Sequence, residues 1–271
     1  MKPTICFSHA NSFPAGTYTL LFDAWRRAGW QVIALPRFGH DPAFPVTRDW
    51  PHLLEQLAQF ITQHSPGQPV HLVGHSLGGF LSLMLACQRP ELAAQVVLLD
   101  SPVIGGWRSH GAAAARGLGL YHRIGGAYIA QQRRHQWPSR SAALAHFAAK
   151  PAFARWDARV LGHYIACGTE ADTEQDGTGD SGAVRLSFRR EVEAAIYNTL
   201  PLRMGRMLGQ HAPAATVHFI GGSRSTELRR AGMDATRALV GQRLHWIDGT
   251  HLFPMERPEE TAAAVLRCLH G

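Results

Sequence analysis

The strongest chemical signal in this chain is Val70-His-Leu-Val-Gly-His-Ser-Leu-Gly-Gly79. An apolar run of strand character leads into Gly74-His75-Ser76-Leu77-Gly78 and on into a helical stretch, so the serine falls on a sharp strand-to-helix turn. Small residues two before and two after it let the two backbones pass closely, and such a turn holds its central residue under strain. The Ser76 hydroxyl is thereby lifted above the sheet at the positive end of a helix, where it can act as a nucleophile. A serine needs a base to take its proton, and imidazole is the side chain whose ordinary pKa suits that task near neutrality. Of the 16 histidines, His251 has the position: it lies in Ile247-Asp-Gly-Thr-His-Leu-Phe-Pro254, between the last apolar run and the last helical stretch. His75 points along the elbow and reads as a packing or hydrogen-bonding neighbour. His9 and His71 follow or sit in strands and read as structural.

These side chains meet only if a sheet presents them on one edge. Short apolar runs at 4–8, 31–35, 70–74, 95–99, 216–220 and 243–247 alternate with amphipathic stretches at 18–28, 50–64, 77–87, 224–240 and 258–269, a rhythm that predicts a parallel sheet. The last helical stretch opens Arg257-Pro-Glu-Glu260, with proline and acids suited to a helix N-terminus. Residues 101–205 break the rhythm; an interval that long must carry structure of its own. It is rich in Ala, Arg, His and aromatics and reads as helical, except for an acidic, Gly-rich stretch at 168–182 that reads as a mobile loop.

Composition closes off other classes. With 271 residues, 45% hydrophobic and 17% charged, the chain is globular rather than disordered, and long enough for one large α/β domain with an insertion or for two small ones. The net charge is +7, but Lys and Arg occur as scattered pairs such as Arg133-Arg134 and Arg229-Arg230, not as a stripe, so no nucleic-acid partner is expected. Cys6, Cys87, Cys167 and Cys268 form no CxxC pair and no metal-ligand spacing; reduced thiols, and neither metal nor cofactor, are expected. No apolar run reaches about 18 residues and no leader pattern precedes the first strand run, so the expectation is a cytoplasmic protein without a membrane partner.

With Ser8-His-Ala-Asn-Ser-Phe-Pro14, the elbow at Ser76, and Gly249-Thr-His-Leu-Phe-Pro254, the chain resembles the α/β-hydrolase superfamily over nearly its whole length. The resemblance implies an α/β fold with a mostly parallel sheet of about six strands flanked by helices. It makes 1–100 and 206–271 the core, and 101–205 an inserted helical cap over the active site. It also exposes two departures. The first strand here corresponds to the family's third, so the antiparallel hairpin that usually precedes it is missing. The acid usually follows the penultimate strand in a G-x-x-D pattern, but Phe219-Ile-Gly-Gly-Ser-Arg-Ser-Thr-Glu227 has no aspartate. A minority of the family carries the acid one strand earlier, where this chain has Val97-Leu-Leu-Asp100, so the resemblance points to Asp100 as the partner of His251. Glu227 is the second choice and Asp248 the third. Two backbone N–H donors must also face the developing oxyanion. One is Leu77; for the other, the family's aromatic-Pro pattern points to Phe13, ranked ahead, and counting from His9 points to Asn11.

The resulting expectation is a cofactor-independent serine hydrolase cleaving an ester, thioester or related acyl bond through Ser76, His251 and Asp100. A triad-dependent lyase or carbon–carbon bond hydrolase, and a non-catalytic ligand-binding protein on the same scaffold, are the alternatives. The substrate would be a small molecule with an apolar acyl or aryl group if Trp107, Tyr121, Tyr128, Trp137, Trp156 and Tyr164 face it; those rings otherwise form the insertion's own core.

Overall fold

The computed structural model describes residues 2–103, 126–172, 182–202 and 204–270. Among these residues nine strands run in order: β1 (Thr4–Ser8), β2 (Gln31–Ala34), β3 (Val70–His75), β4 (Ala93–Leu99), β5 (Gln136–Trp137), β6 (Thr169–Ala171), β7 (Val184–Leu186), β8 (Thr216–Gly222) and β9 (Leu244–Ile247). Six of them form one sheet in the order β2-β1-β3-β4-β8-β9, with every neighbouring pair parallel. These are the six runs expected from the sequence, and among the described residues no strand precedes β1.

A parallel sheet buries both faces, and alternate residues divide between them. Ile5, Phe7, Val73 and Val97 face a core closed by the helices Thr19–Arg27 and Pro258–His270. Cys6, Leu72, Val96 and Leu98 face the opposite core, closed by Pro51–His64 and Leu77–Gln88. Because the chain steps from β1 outward to β2 and then back across to β3, the strand order reverses between β1 and β3. The crevice at the carboxyl ends there is where such sheets bind ligands, and it receives Ser76 at the end of β3 and the loop 9–14 after β1.

The structure corrects the sequence expectations in two places. The stretch 224–240 is two helices, Thr226–Ala231 and Asp234–Val240, separated at Gly232, whose φ of 78° no helix continues through. The insertion is not only helical: besides Gly126–Gln132, Arg140–Ala148, Ala158–Gly168 and Arg190–Asn198 it holds an antiparallel sheet in the order β5-β7-β6. Its strands are two or three residues long, too short to show a period. Part of the stretch read as a mobile loop is β6; residues 173–181 of it, with Trp107 and Tyr121, lie outside the described residues. Trp137, Trp156 and Tyr164 are buried and pack with Phe147 and Phe153, so these rings are the insertion's core, whereas Tyr128 is exposed. Phe13 docks edge-on against Trp156 and Tyr164 with centroids 5.4 and 5.6 Å away, joining the loop after β1 to the insertion. No helix among the described residues is long and apolar enough to cross a membrane.

Candidate active site

Ser76 stands between β3 and the helix Leu77–Gln88 with φ 53° and ψ −114°, a conformation costly for any residue with a side chain. It persists because the surroundings hold it: its N–H donates to Leu99 O at 3.0 Å, and its carbonyl accepts Gly79 N–H at 3.0 Å and lies 3.0 Å from the Ser101 hydroxyl. The glycines are required by close approach. A Cβ on Gly74 would sit 2.2 Å from Gly78 O, and one on Gly78 would sit 1.9 Å from Ser8 O.

His251 follows β9 on the same edge of the sheet. Its Nδ1 lies 2.8 Å from Asp100 Oδ1. Asp100 is 1% exposed, with a left-handed φ of 47°. Its Oδ2 accepts the Gly222 N–H at 2.7 Å, and its Oδ1 also accepts the Ser225 hydroxyl at 2.7 Å. The segment after β8, where the family usually carries the acid, therefore supplies donors to a carboxylate one strand away. Gly222 suits that position because a Cβ there would meet Thr250 O at 2.3 Å. Burial opposes charge on the His251 ring, but the Asp100 hydrogen bond and charge, reinforced by Glu227, outweigh it and hold the pKa above the ordinary histidine value.

The other two acids are placed differently. Glu227 lines the cavity and accepts the Thr226 hydroxyl at 2.9 Å; burial disfavours its charge, yet the His251 charge and local hydrogen bonds leave its pKa below the usual value. Asp248 is exposed and bound by Arg224 and Ser223. Of the three, only Asp100 is hydrogen-bonded to His251.

The two loop amides expected as oxyanion donors differ in what they bond. The Phe13 N–H donates to Ala10 O at 3.2 Å and is committed to the turn after β1. The Asn11 N–H has no such partner among the described residues, nor does the Leu77 N–H at the first turn of its helix. Of the two loop amides, only that of Asn11 is uncommitted among the described residues. Its loop is held from the insertion: Asn11 Nδ2 donates to Glu193 O at 3.1 Å, Ser12 Oγ donates to Glu193 Oε1, and Glu193 pairs with Arg133 at 2.8 Å. Aromatic-Pro spacing cannot register which amide a turn consumes.

Two histidines near the site are braces. His9 is fully buried; its Nδ1–H donates to Ala10 O at 2.8 Å and its Nε2 accepts the Phe38 N–H at 3.0 Å, which fixes one neutral tautomer. His75 completes a relay that the sequence did not reveal. The Ala10 N–H donates to Tyr18 Oη at 3.3 Å, the Tyr18 hydroxyl donates to His75 Nδ1 at 2.7 Å, and His75 Nε2–H donates to the His251 carbonyl at 2.9 Å. Burial, and then the nearby His251, push the His75 pKa well down, which keeps the ring neutral for both roles. Tyr18→Phe strands an N–H and a ring nitrogen in the interior at about 1–3 kcal/mol each. It is expected to lower Tm by several degrees and kcat by up to roughly tenfold; an unchanged melting curve would contradict the relay.

Ser76, His251, Asn11 and Phe13 open onto one cavity of about 870 Å³, completed by Ala10, Leu252, Ala152, Arg155, Tyr197 and Glu227 among others. Ser76 Oγ and His251 are not hydrogen-bonded to each other among the described contacts, but both face this space. Arg37 and His40, after β2, do not line it; Arg37 bonds Ser187 O and His40 Nδ1–H donates to Phe38 O. A sequence profile of the Alpha/beta hydrolase family matches residues 7–264. The chain belongs to the alpha/beta hydrolase family. A curated relative, abhydrolase domain-containing protein AFT2-1 of Alternaria alternata, is 27% identical over 225 residues, 72% of this chain and 80% of the relative. Among solved structures, E-2-(acetamidomethylene)succinate hydrolase is similar in fold with a TM-score of 0.74 at 18% identity, over 100% of this chain and 92% of the other. The thioesterase domain from the curacin biosynthetic pathway is similar with a TM-score of 0.68 at 18% identity, over 98% and 91%. In this alpha/beta hydrolase Ser76, the loop 9–14 and His251 follow β3, β1 and β9, and Ala152, Arg155 and Tyr197 line the cavity that they share.

Proposed function

We propose that the protein is a serine hydrolase that cleaves an ester, thioester or related acyl bond through an acyl-enzyme. The observation that carries this reading is the 2.8 Å contact between His251 Nδ1, on the wall of the cavity that holds Ser76, and a buried, triply hydrogen-bonded Asp100 behind it. Ser76 Oγ attacks the carbonyl carbon while His251 Nε2 takes its proton, and Asp100 holds the ring in the Nδ1–H tautomer and stabilises the imidazolium. The oxyanion is met by the N–H groups of Leu77 and Asn11. His251 then protonates the leaving group, and a water activated by the same nitrogen releases the acid. The chemistry needs no cofactor. Residues 101–205 act as the cap; Phe13, Ala152 and Leu252 offer the acyl or aryl group an apolar wall.

Two measurements test the proposal. A panel of acyl esters and acyl-CoA thioesters of graded chain length is expected to give turnover on at least one series; a folded protein inert to the whole panel would count against acyl hydrolysis. The base must be neutral to accept a proton, so kcat/KM is expected to rise with pH through an apparent pKa above the ordinary 6.5 of histidine. Asp100→Asn is expected to move that limb to lower pH, because the interaction that raises the pKa is removed. A limb below 6 in the unaltered protein would contradict the Asp100–His251 assignment.

A further inference from the structure

Away from the cavity, three side chains with metal-binding atoms converge where β8, β9 and the helix Pro258–His270 meet. Ile220 pairs with His245 across the two strands, so His218, two residues earlier, lies diagonal to His245 on the same face. Ile220, Ile247 and Cys268 of the helix share the core on that face. One ring nitrogen of His218, one of His245, and Cys268 Sγ all lie within 4.8 Å of one another. The two imidazoles stack, with planes 13° apart. None of the three lines the cavity that holds Ser76.

The second observation is His218 itself. It is 8% exposed, yet neither of its ring nitrogens has a hydrogen-bond partner among the described residues. A neutral imidazole carries one N–H and one lone pair, so both a donor and an acceptor are left unmet in the interior, a rare condition that asks for a missing partner. The imidazole–imidazole–thiol set is the donor set of zinc; with no carboxylate among the three, the cluster does not suit calcium or magnesium.

We propose that His218, His245 and Cys268 bind one Zn²⁺, with the fourth coordination position open to water on the exposed His245 side. Tetrahedral zinc with bonds of about 2.0–2.3 Å places its ligand atoms roughly 3.3–3.8 Å apart. The cluster reaches that spacing by contracting about an ångström, which His245 on an exposed edge strand can supply by side-chain rotation. On binding, the thiol gives its proton to solvent and the sulfur lone pair forms the bond: Cys–SH plus Zn²⁺ yields Cys–S–Zn⁺ plus H⁺. Spacings of 218, 245 and 268 match no metal motif; only the register of β8 and β9 and the docking of the last helix bring the three together. The ion would tie the elements on either side of the loop that carries His251.

The full chain, stripped with a chelator, is titrated with zinc chloride by calorimetry and with cobalt chloride by absorbance. Expected are one zinc per chain with Kd below about 10 μM, and tetrahedral cobalt bands with a thiolate-to-cobalt charge-transfer band. Tm is expected to rise by roughly 5 °C or more at zinc ~100-fold above Kd. His245→Ala, at an exposed position, and Cys268→Ser are each expected to weaken binding at least ~10-fold, whereas His64→Ala, at an exposed histidine elsewhere, leaves it unchanged. Absence of stoichiometric zinc at about 100 μM, cobalt spectra lacking the thiolate band, or affinity unmoved by His245→Ala would each overturn the site. If Cys268→Ser does not fold, the cobalt spectrum and His245→Ala decide it.

Discussion

Ser76→Ala is expected to abolish turnover while leaving the melting temperature within about 2 °C, since it alters none of the features that place large losses on a substitution. The hydroxyl faces the cavity and makes no hydrogen bond among the described residues. What holds the elbow is backbone: the Ser76 N–H on Leu99 O and the Ser76 carbonyl under Gly79 N–H, bonds that alanine keeps. The strained φ of 53° is as costly for one residue as for the other. Loss of the nucleophile in a triad enzyme costs roughly four to six powers of ten in kcat, so activity above about a hundredth of the unaltered level would contradict Ser76 as nucleophile.

Asp100→Asn is expected to lower kcat by roughly three to four powers of ten with little change in KM. The carboxylate accepts from three donors: Gly222 N–H, Ser225 O–H and His251 Nδ1–H. An amide has only one oxygen for them. If its NH₂ faces Gly222, two donors meet at a 2.7 Å spacing. If it faces His251, the ring must present a lone pair at Nδ1 and carry its proton on Nε2, the tautomer that cannot take the Ser76 proton. Because Asp100 is buried, Tm is expected to fall as well, so rates are compared well below both melting transitions. Glu227→Gln, which removes only a nearby charge from His251, is expected to cost less than about tenfold. The reverse ranking would place the acid after β8, as in most of the family.

The two outcomes trace back to what the sequence can carry. Strands of four to seven residues at β1, β2, β3, β4, β8 and β9 are legible as short apolar-rich runs with turn residues at their ends, most clearly at β1, β3 and β4, which are largely buried. Asp100 stands out because Val97-Leu-Leu-Asp100 ends such a run while 219–227 holds no aspartate. The donors to its carboxylate are not legible in that way. Ser225 reads only as a cap for the helix Thr226–Ala231, whose Leu228 N–H it accepts, and Gly222 only as a turn residue. Tyr18 looks like one more apolar residue of an amphipathic stretch, since its hydroxyl meets His75 from 57 positions away. Glu193 is charged and would be placed in solvent by any periodic pattern; its burial depends on Arg133 and Ser12, which only the tertiary fold delivers. β5, β6 and β7 escape detection because so short a strand is specified by its partner rather than by its own residues.

The most direct test of the proposed nucleophile and base is labelling of the folded chain with a fluorophosphonate, read by intact mass and peptide mapping. A single covalent adduct on the peptide carrying Ser76 is expected, absent in Ser76→Ala and formed at least ~100-fold more slowly in His251→Ala, because the phosphorus is attacked only by an oxygen whose proton is being withdrawn. A folded protein that takes no adduct, or takes it on another residue, would contradict Ser76 and His251 as a nucleophile–base pair.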